Sequence, residues 1–285
     1  MNHGSTAASS AVERSGPFVT TRLFESPVMS DRWFLSTQPV TGLVGFGAFG
    51  RLIAAHLRAH CRIRVYDPAL PRGTDIPMAG VEAGSLAQAA SCPIVILAVP
   101  VTALEETVRA IRPYLVRHAL VVDVGSVKVV PARIMCQELP DHVRIVATHP
   151  LFGPQSARDG IAGHRIAVCP LRGTRAGRLV AFLRRTLGLR VILTTPDAHD
   201  RDAATAQGLT HLLARVLVGM EPLPARITTR SFEHLRAAAG MVRHDAPEVY
   251  HAIAHLNPYS SAVRDRFFAI ARQVEDECAA AGPAP

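Results

Sequence analysis

Two things are scarce in this chain of 285 residues: aromatic side chains, at 5%, and lysine, of which Lys128 is the only one among 31 Lys and Arg. Arginine therefore carries almost all the positive charge, and the one lysine marks its neighbourhood for inspection. The formal net charge of +8 invites a nucleic-acid reading. The arginines are scattered and the aromatics few, so the stripe of basic and aromatic residues that such a function needs is missing. A positive field of this kind favours small anionic substrates and cofactors instead. Nucleic acid is not an expected partner.

Cysteine is sparse as well. The five, Cys61, Cys92, Cys136, Cys169 and Cys278, are odd in number and widely spaced, with no Cys-x-x-Cys pair. Neither a disulfide framework nor a zinc site follows, no metal is expected, and a reducing cytoplasm is the expected location. No apolar run reaches the roughly 18 to 20 residues of a membrane span. Residues 1–38 are rich in Ser, Thr and Ala, lack both periodicity and the apolar core of a secretory signal, and read as a disordered extension.

From Val40 the chain alternates short apolar runs with helical periods. "VTGLVGF", "CRIRVYD", "CPIVILAVP", "HALVVDV" and "VRIVATHP" read as strands apolar on both faces, which belong in a parallel sheet covered by helices. "HRIAVCP" and "LRVILTT" add two more, with a helix between them. From Pro196 the periodicity is helical throughout. The expectation is an α/β chain in which a Rossmann-type, doubly wound parallel sheet over residues 39–195 precedes an all-helical unit over 196–280.

Gly45, Gly47 and Gly50 form G-F-G-A-F-G between a strand and a helix. In that setting the first glycine makes a tight turn, the second admits a pyrophosphate, and the third lets helix and strand pack closely. The helix N-terminus adds N–H donors for the phosphates. Phe46, Ala48 and Phe49 of this loop, with Val99 and Pro100 at the end of "CPIVILAVP", complete the expected cofactor-binding set. Asp67, 22 residues after Gly45, ends the next strand. Its carboxylate can accept from the adenosine ribose hydroxyls and repel a 2′-phosphate, which favours NAD, with NADP as the alternative, although Arg64 and Arg72 lie nearby. A simple turn into Pro68 is the other role open to Asp67.

"VDVGSVK" places Ser126 and Lys128 on the carboxyl edge of the sheet, where ligands bind in such folds. "THPLFGP" ends a later strand on the same edge with His149. Neutral imidazole can take a hydroxyl proton while hydride leaves the same carbon, and Pro150 with the Phe152-Gly153-Pro154 turn would hold its backbone rigid. His149 is therefore the expected catalytic base.

These landmarks, "GLVGFGAFG", "DVGSVK", "THPLFGP" and "AHDRDAATAQGLTH", followed by "SFEHL" and "APEVYHAIAHLNPY", resemble the prephenate and arogenate dehydrogenase family of tyrosine biosynthesis over about residues 40–275. The resemblance implies an N-terminal Rossmann domain and a helical C-terminal domain that forms a homodimer. It implies oxidative decarboxylation of a small cyclohexadienyl substrate, with hydride leaving ring C4 and carbon dioxide leaving C1. It casts His149 as the base, Ser126 as the residue that orients the ring hydroxyl, and His211 as a substrate contact in the helical domain.

One departure stands out. The arginine that prephenate-specific members place nine residues before the tyrosine of the "PEVY" element is Met241 here, with Arg243 two positions away as the candidate substitute. Asp245 stands where arogenate-preferring members resemble one another in having an acidic side chain, which could pair with the substrate's α-amino group. Relatives in antibiotic biosynthesis act on 4-amino-4-deoxyprephenate, a second substrate the resemblance allows. A non-catalytic NAD-binding regulator would keep the glycines and Asp67 but would have no need of His149 and Ser126. Hydroxyacid or imine reductases of similar plan carry a lysine on the first long helix of the second domain, and that helix has none here.

Overall fold

The computed structural model describes residues 1, 39–71, 73–173 and 176–280. The extension read at 1–38 lies outside these residues apart from Met1, as do Arg72 and the tail 281–285.

Eight strands form one sheet in the order β3-β2-β1-β4-β5-β6-β7-β8. β1 (Val40–Val44), β2 (Arg62–Tyr66), β4 (Ile94–Leu97), β5 (Leu120–Asp123) and β6 (Arg144–Pro150) are the expected runs, all mutually parallel where they pair. Their buried faces on both sides follow from their near-continuous Val, Ile and Leu content. β3 (Val81–Ala83), too short for a pattern, was not anticipated; it joins the β2 edge.

The doubly wound, mostly parallel sheet carries one antiparallel pair, at the other edge. β7 (Arg165–Arg172) runs antiparallel to β6, and β8 (Arg190–Leu193) then pairs parallel with β7. Residues 151–164 connect β6 to β7 without a helix. A parallel neighbour needs a crossover, usually helical, to return the chain to the starting end, whereas an antiparallel one is reached directly.

Helices α1 (Ala48–Leu57) and α5 (Gly177–Arg185) carry buried residues that pack with the sheet. Between them lies a cavity of about 410 Å³ lined mainly by apolar side chains such as Leu52, Ile53, Phe152 and Phe182. Among the described residues its lining includes no carboxylate, lysine or arginine. α2 (Leu86–Ala90), α3 (Leu104–Ile111) and α4 (Val129–Glu138) follow β3, β4 and β5, and bury Val108, Ile111 and Met135 in the main core.

α6 (Pro196–Gly219) opens the helical region. Thr195 caps it by accepting from Ala198 N at 3.2 Å, and Pro196 occupies its first turn. α7 (Arg230–Val242) and α9 (Ser260–Ala280) pack on it. The helix read over "APEVYHAIAHL" is divided, α8 (Pro247–His251) running into a π-helical turn at Ala252–Leu256. Among the described residues no helix is long and apolar enough to cross a membrane.

Candidate active site

Strand order reverses between β2-β1 and β4, which opens a crevice at their carboxyl ends. The glycine loop lies there. Gly45 has φ +98°, and a Cβ on it would stand 2.4 Å from Ala98 O and 3.2 Å from Val99 Cγ1. A Cβ on Gly50 would stand 2.3 Å from Gly45 O, while one on Gly47 would meet nothing within 4 Å. Two glycines thus close the turn and the third faces open space, which is the cradle a pyrophosphate needs. The residues present fit a dinucleotide.

Asp67 supports this loop directly. One carboxylate oxygen accepts from Phe46 N at 2.6 Å and the other from Ala69 N at 2.8 Å. Both the loop and the turn into Pro68 therefore depend on it; the turn role was open from the sequence, and the support of the glycine loop is added by the structure. The Phe46 ring is buried in the core beneath β1 and β2, so only its backbone belongs to the loop. Phe49 turns toward Phe152, with ring centroids 6.3 Å apart. Ala48 and Pro100 are exposed and Val99 half-buried beside the loop.

Lys128 corrects the sequence reading. It is the N-cap of α4, its side chain is 0% exposed, and its ammonium is held by the Asp123 carboxylate and by Thr148 O at 2.6 Å. It offers no surface to a substrate. Burial pushes the Asp123 carboxyl up, an effect the Lys128 charge opposes. Ser126, in the turn just before, is half-buried and has no side-chain hydrogen bond among the described residues.

His149, at the end of β6, is 4% exposed. Its Nδ1 lies 2.8 Å from His199 Nε2, and its Nε2 lies 3.4 Å from Gln207 Nε2. His199 Nδ1 lies 2.8 Å from Asp200 Oδ1. The Asp200 carboxylate also accepts from Lys128 N at 2.7 Å and Val129 N at 2.9 Å, capping α4 from across the molecule. Burial first, then any positive charge on His199 and that of Lys128, holds His149 well below the usual histidine range. His149 is thus a neutral, oriented imidazole. Gln207 Oε1 is buried and, among the described residues, has no hydrogen-bond partner.

His199, Gln207 and His211 recur at multiples of four along α6 and so share a side of it. His211, about 6 Å of helix rise beyond Gln207, is 6% exposed, and its Nε2 faces Asp245 Oδ2 at 3.7 Å. Burial lowers His211 and raises Asp245, each opposed by the other's charge. Arg243 does not join them. Its guanidinium is committed to Glu221 in a two-point pair at 2.8 and 3.1 Å on the surface. Met241 is 52% exposed. Among the described residues no cluster of His, Cys, Asp and Glu is arranged to hold a metal.

A family model described as prephenate dehydrogenase, nucleotide-binding domain, matches residues 53–207, more than half of the chain. Arogenate dehydrogenase 1, chloroplastic, of Arabidopsis thaliana is 27% identical over 246 residues, covering 79% of this chain and 37% of the relative. Arogenate dehydrogenase 2, chloroplastic, of the same plant is 31% identical over 175 residues, covering 58% of this chain and 48% of the relative. The chain thus spans less than half the length of these curated relatives. In fold it is similar to the crystal structure of prephenate dehydrogenase from A. aeolicus in complex with hydroxyphenyl propionate and NAD+, with TM-score 0.62 at 22% identity over 85% of this chain and 93% of that one. The glycine cradle, the histidine at the end of β6 and the matched region together make this chain a member of the prephenate dehydrogenase family.

Proposed function

We propose that this protein catalyses the NAD-dependent oxidative decarboxylation of a prephenate-type cyclohexadienyl acid, with arogenate as the favoured form. The observation that carries the reading is His149, a buried imidazole whose Nε2, among the described residues, meets only a long contact from Gln207, and which burial holds toward its neutral form. In this reading a C4 hydroxyl takes Gln207's place and passes its proton to Nε2. Bound NAD supplies the hydride acceptor for C4. The electron pair of the bond from C1 to the departing carboxylate moves into the ring, which becomes aromatic. Ser126, with a free hydroxyl in the neighbouring turn, orients the C4 substituent. Asp67 favours NAD over NADP.

Asp245 supports the amino-bearing substrate. Half-buried against His211, it offers a carboxylate to an α-ammonium group and repels a keto acid, while the nearest arginine in sequence is held by Glu221. Exposed Val216, Leu235, Phe268 and Ile270 on α6, α7 and α9 support a homodimer through the helical region. A cytoplasmic location belongs to the same reading.

Gln207 favours a second reading. A C4 amine has one more N–H than a hydroxyl, and the buried, unpartnered Oε1 of Gln207 is an acceptor for it. That would suit 4-amino-4-deoxyprephenate and antibiotic biosynthesis. NADH formation with prephenate, arogenate and the 4-amino compound, offered separately, tests both. Preference for arogenate, lost in Asp245→Asn, supports the first reading; preference for prephenate overturns the role given to Asp245. Preference for the 4-amino compound, lost in Gln207→Leu, supports the second.

A further inference from the structure

The stretch "AHDRD" at the start of α6 contains two buried polar residues, His199 and Asp200, to which the reaction itself assigns nothing. They are 6% and 0% exposed. We propose that His199 is a positioning residue for catalysis: anchored by Asp200, it holds His149 as the tautomer that carries its proton on Nδ1 and presents the Nε2 lone pair to the substrate.

Asp200 accepts N–H groups from Lys128, Val129 and His199 Nδ1, and its backbone carbonyl accepts from Asn257 Nδ2 at 2.8 Å. A carboxylate in this setting only accepts, so His199 Nδ1 must be the protonated nitrogen. With His199 neutral, the form the proposal requires, its Nε2 carries only a lone pair, so His149 Nδ1 is the donor across the 2.8 Å contact. In neutral His149 the remaining lone pair is at Nε2. The Gln207 amide nitrogen, a donor, faces that atom. Every group in the series points its proton the same way, and the opposite tautomer of either imidazole would set two donors or two acceptors against each other.

The same contact acts during the reaction. When Nε2 takes the substrate proton, His149 becomes an imidazolium, and its Nδ1–H bond to His199 becomes charge-assisted and stronger. No proton need leave Nδ1 for this. The anchor spans the molecule: Asp200 is on α6 and the amides it holds open α4, next to the turn that carries Ser126. Holding His149 and that turn in one register is a consequence of the same carboxylate.

This inference rests on His149 being the base, and the test separates the two. A glutamine amide reaches the place of imidazole Nε2 and an asparagine amide the place of Nδ1. In the full-length protein with NAD, His199→Gln is expected to keep kcat within about tenfold. His199→Asn, which keeps the contact to Asp200 but leaves His149 Nδ1–H unpartnered, is expected to lower kcat by about 10²–10³, short of the roughly 10⁴ that an imidazole fixed in the wrong tautomer costs, with KM and the Kd for NAD within about threefold. Equal kcat in the two variants, or Asn above Gln, overturns the proposal, since a role in folding alone would not prefer the acceptor facing His149. Nitrogen-15 NMR of the wild-type imidazoles needs no substrate, and His149→Asn serves only to assign the His149 signals among the 13 histidines. A protonated Nδ1 and bare Nε2 on His149 supports the assignment, and the reverse overturns it. Should the wild type oxidise no cyclohexadienyl acid, the proposed function fails while the tautomer stands or falls on the NMR result.

Discussion

Replacing the sole lysine separates a structural role from a substrate contact. Lys128→Met keeps most of the side-chain volume and removes the charge, leaving the Asp123 carboxylate buried, with Oδ1 already lacking a hydrogen-bond partner. Breaking a buried pair by removing one partner costs about 3–5 kcal/mol, because the remaining charge is uncompensated. At roughly 2–4 °C per kcal/mol for a chain of this size, the melting temperature should fall by about 6–20 °C. Asp123 escapes part of this by taking up a proton, which its burial already favours. The loss should therefore be smaller at pH 5 than at pH 8. Asp123→Asn combined with Lys128→Met should recover much of it. Thermal denaturation of the three proteins at both pH values is the assay. A Lys128→Met protein that melts within about 1 °C of wild type and differs only in KM would refute the burial argument and restore the substrate contact suggested by the sequence.

Two further outcomes follow from the site. Asp67→Ala strips the partner from Phe46 N, and an unsatisfied donor costs about 1–3 kcal/mol. Calorimetry should therefore show NAD binding weakened by about tenfold or more, along with relaxed discrimination against NADP; unchanged NAD affinity would contradict the loop-support role. For His149, held low by burial and faced by His199, Lys128 and Gln207, the acid limb of kcat/KM should lie well below pH 6.5, since the base is active only when neutral. Its contribution to stability has the matching sign: fully present above the unfolded value near 6.5, it is lost as pH falls toward the depressed folded value. A limb at or above pH 6.5 would contradict the buried placement.

The glycine loop, Asp67 and His149 were legible because each lies where an apolar run meets a helical period, a local signal that survives without coordinates. The reversal at β7 was not, since an apolar strand reads the same in either direction and only the helix-free connection of residues 151–164 carries the difference. Lys128 was found by its rarity, but its position at a strand edge did not say which way the side chain turns. His199, Asp200 and Gln207 lie in a helical stretch whose sequence assigns them no role. Their meaning comes from partners 50, 72 and 58 residues away in the chain, and no spacing rule reaches that far. The "AHD" beginning a long helix, with small residues at the next turns, was the one available hint that this face of α6 lies against something closely packed.

NADH formation by the wild type and by His149→Asn, with arogenate as substrate and NAD affinity measured in parallel, tests the central claim most directly. The account predicts turnover by the wild type, a fall of about 10²–10⁴ in the variant, and NAD affinity within a few-fold. Unchanged turnover in the variant, or a wild type that binds NAD yet oxidises none of the cyclohexadienyl acids, would contradict it.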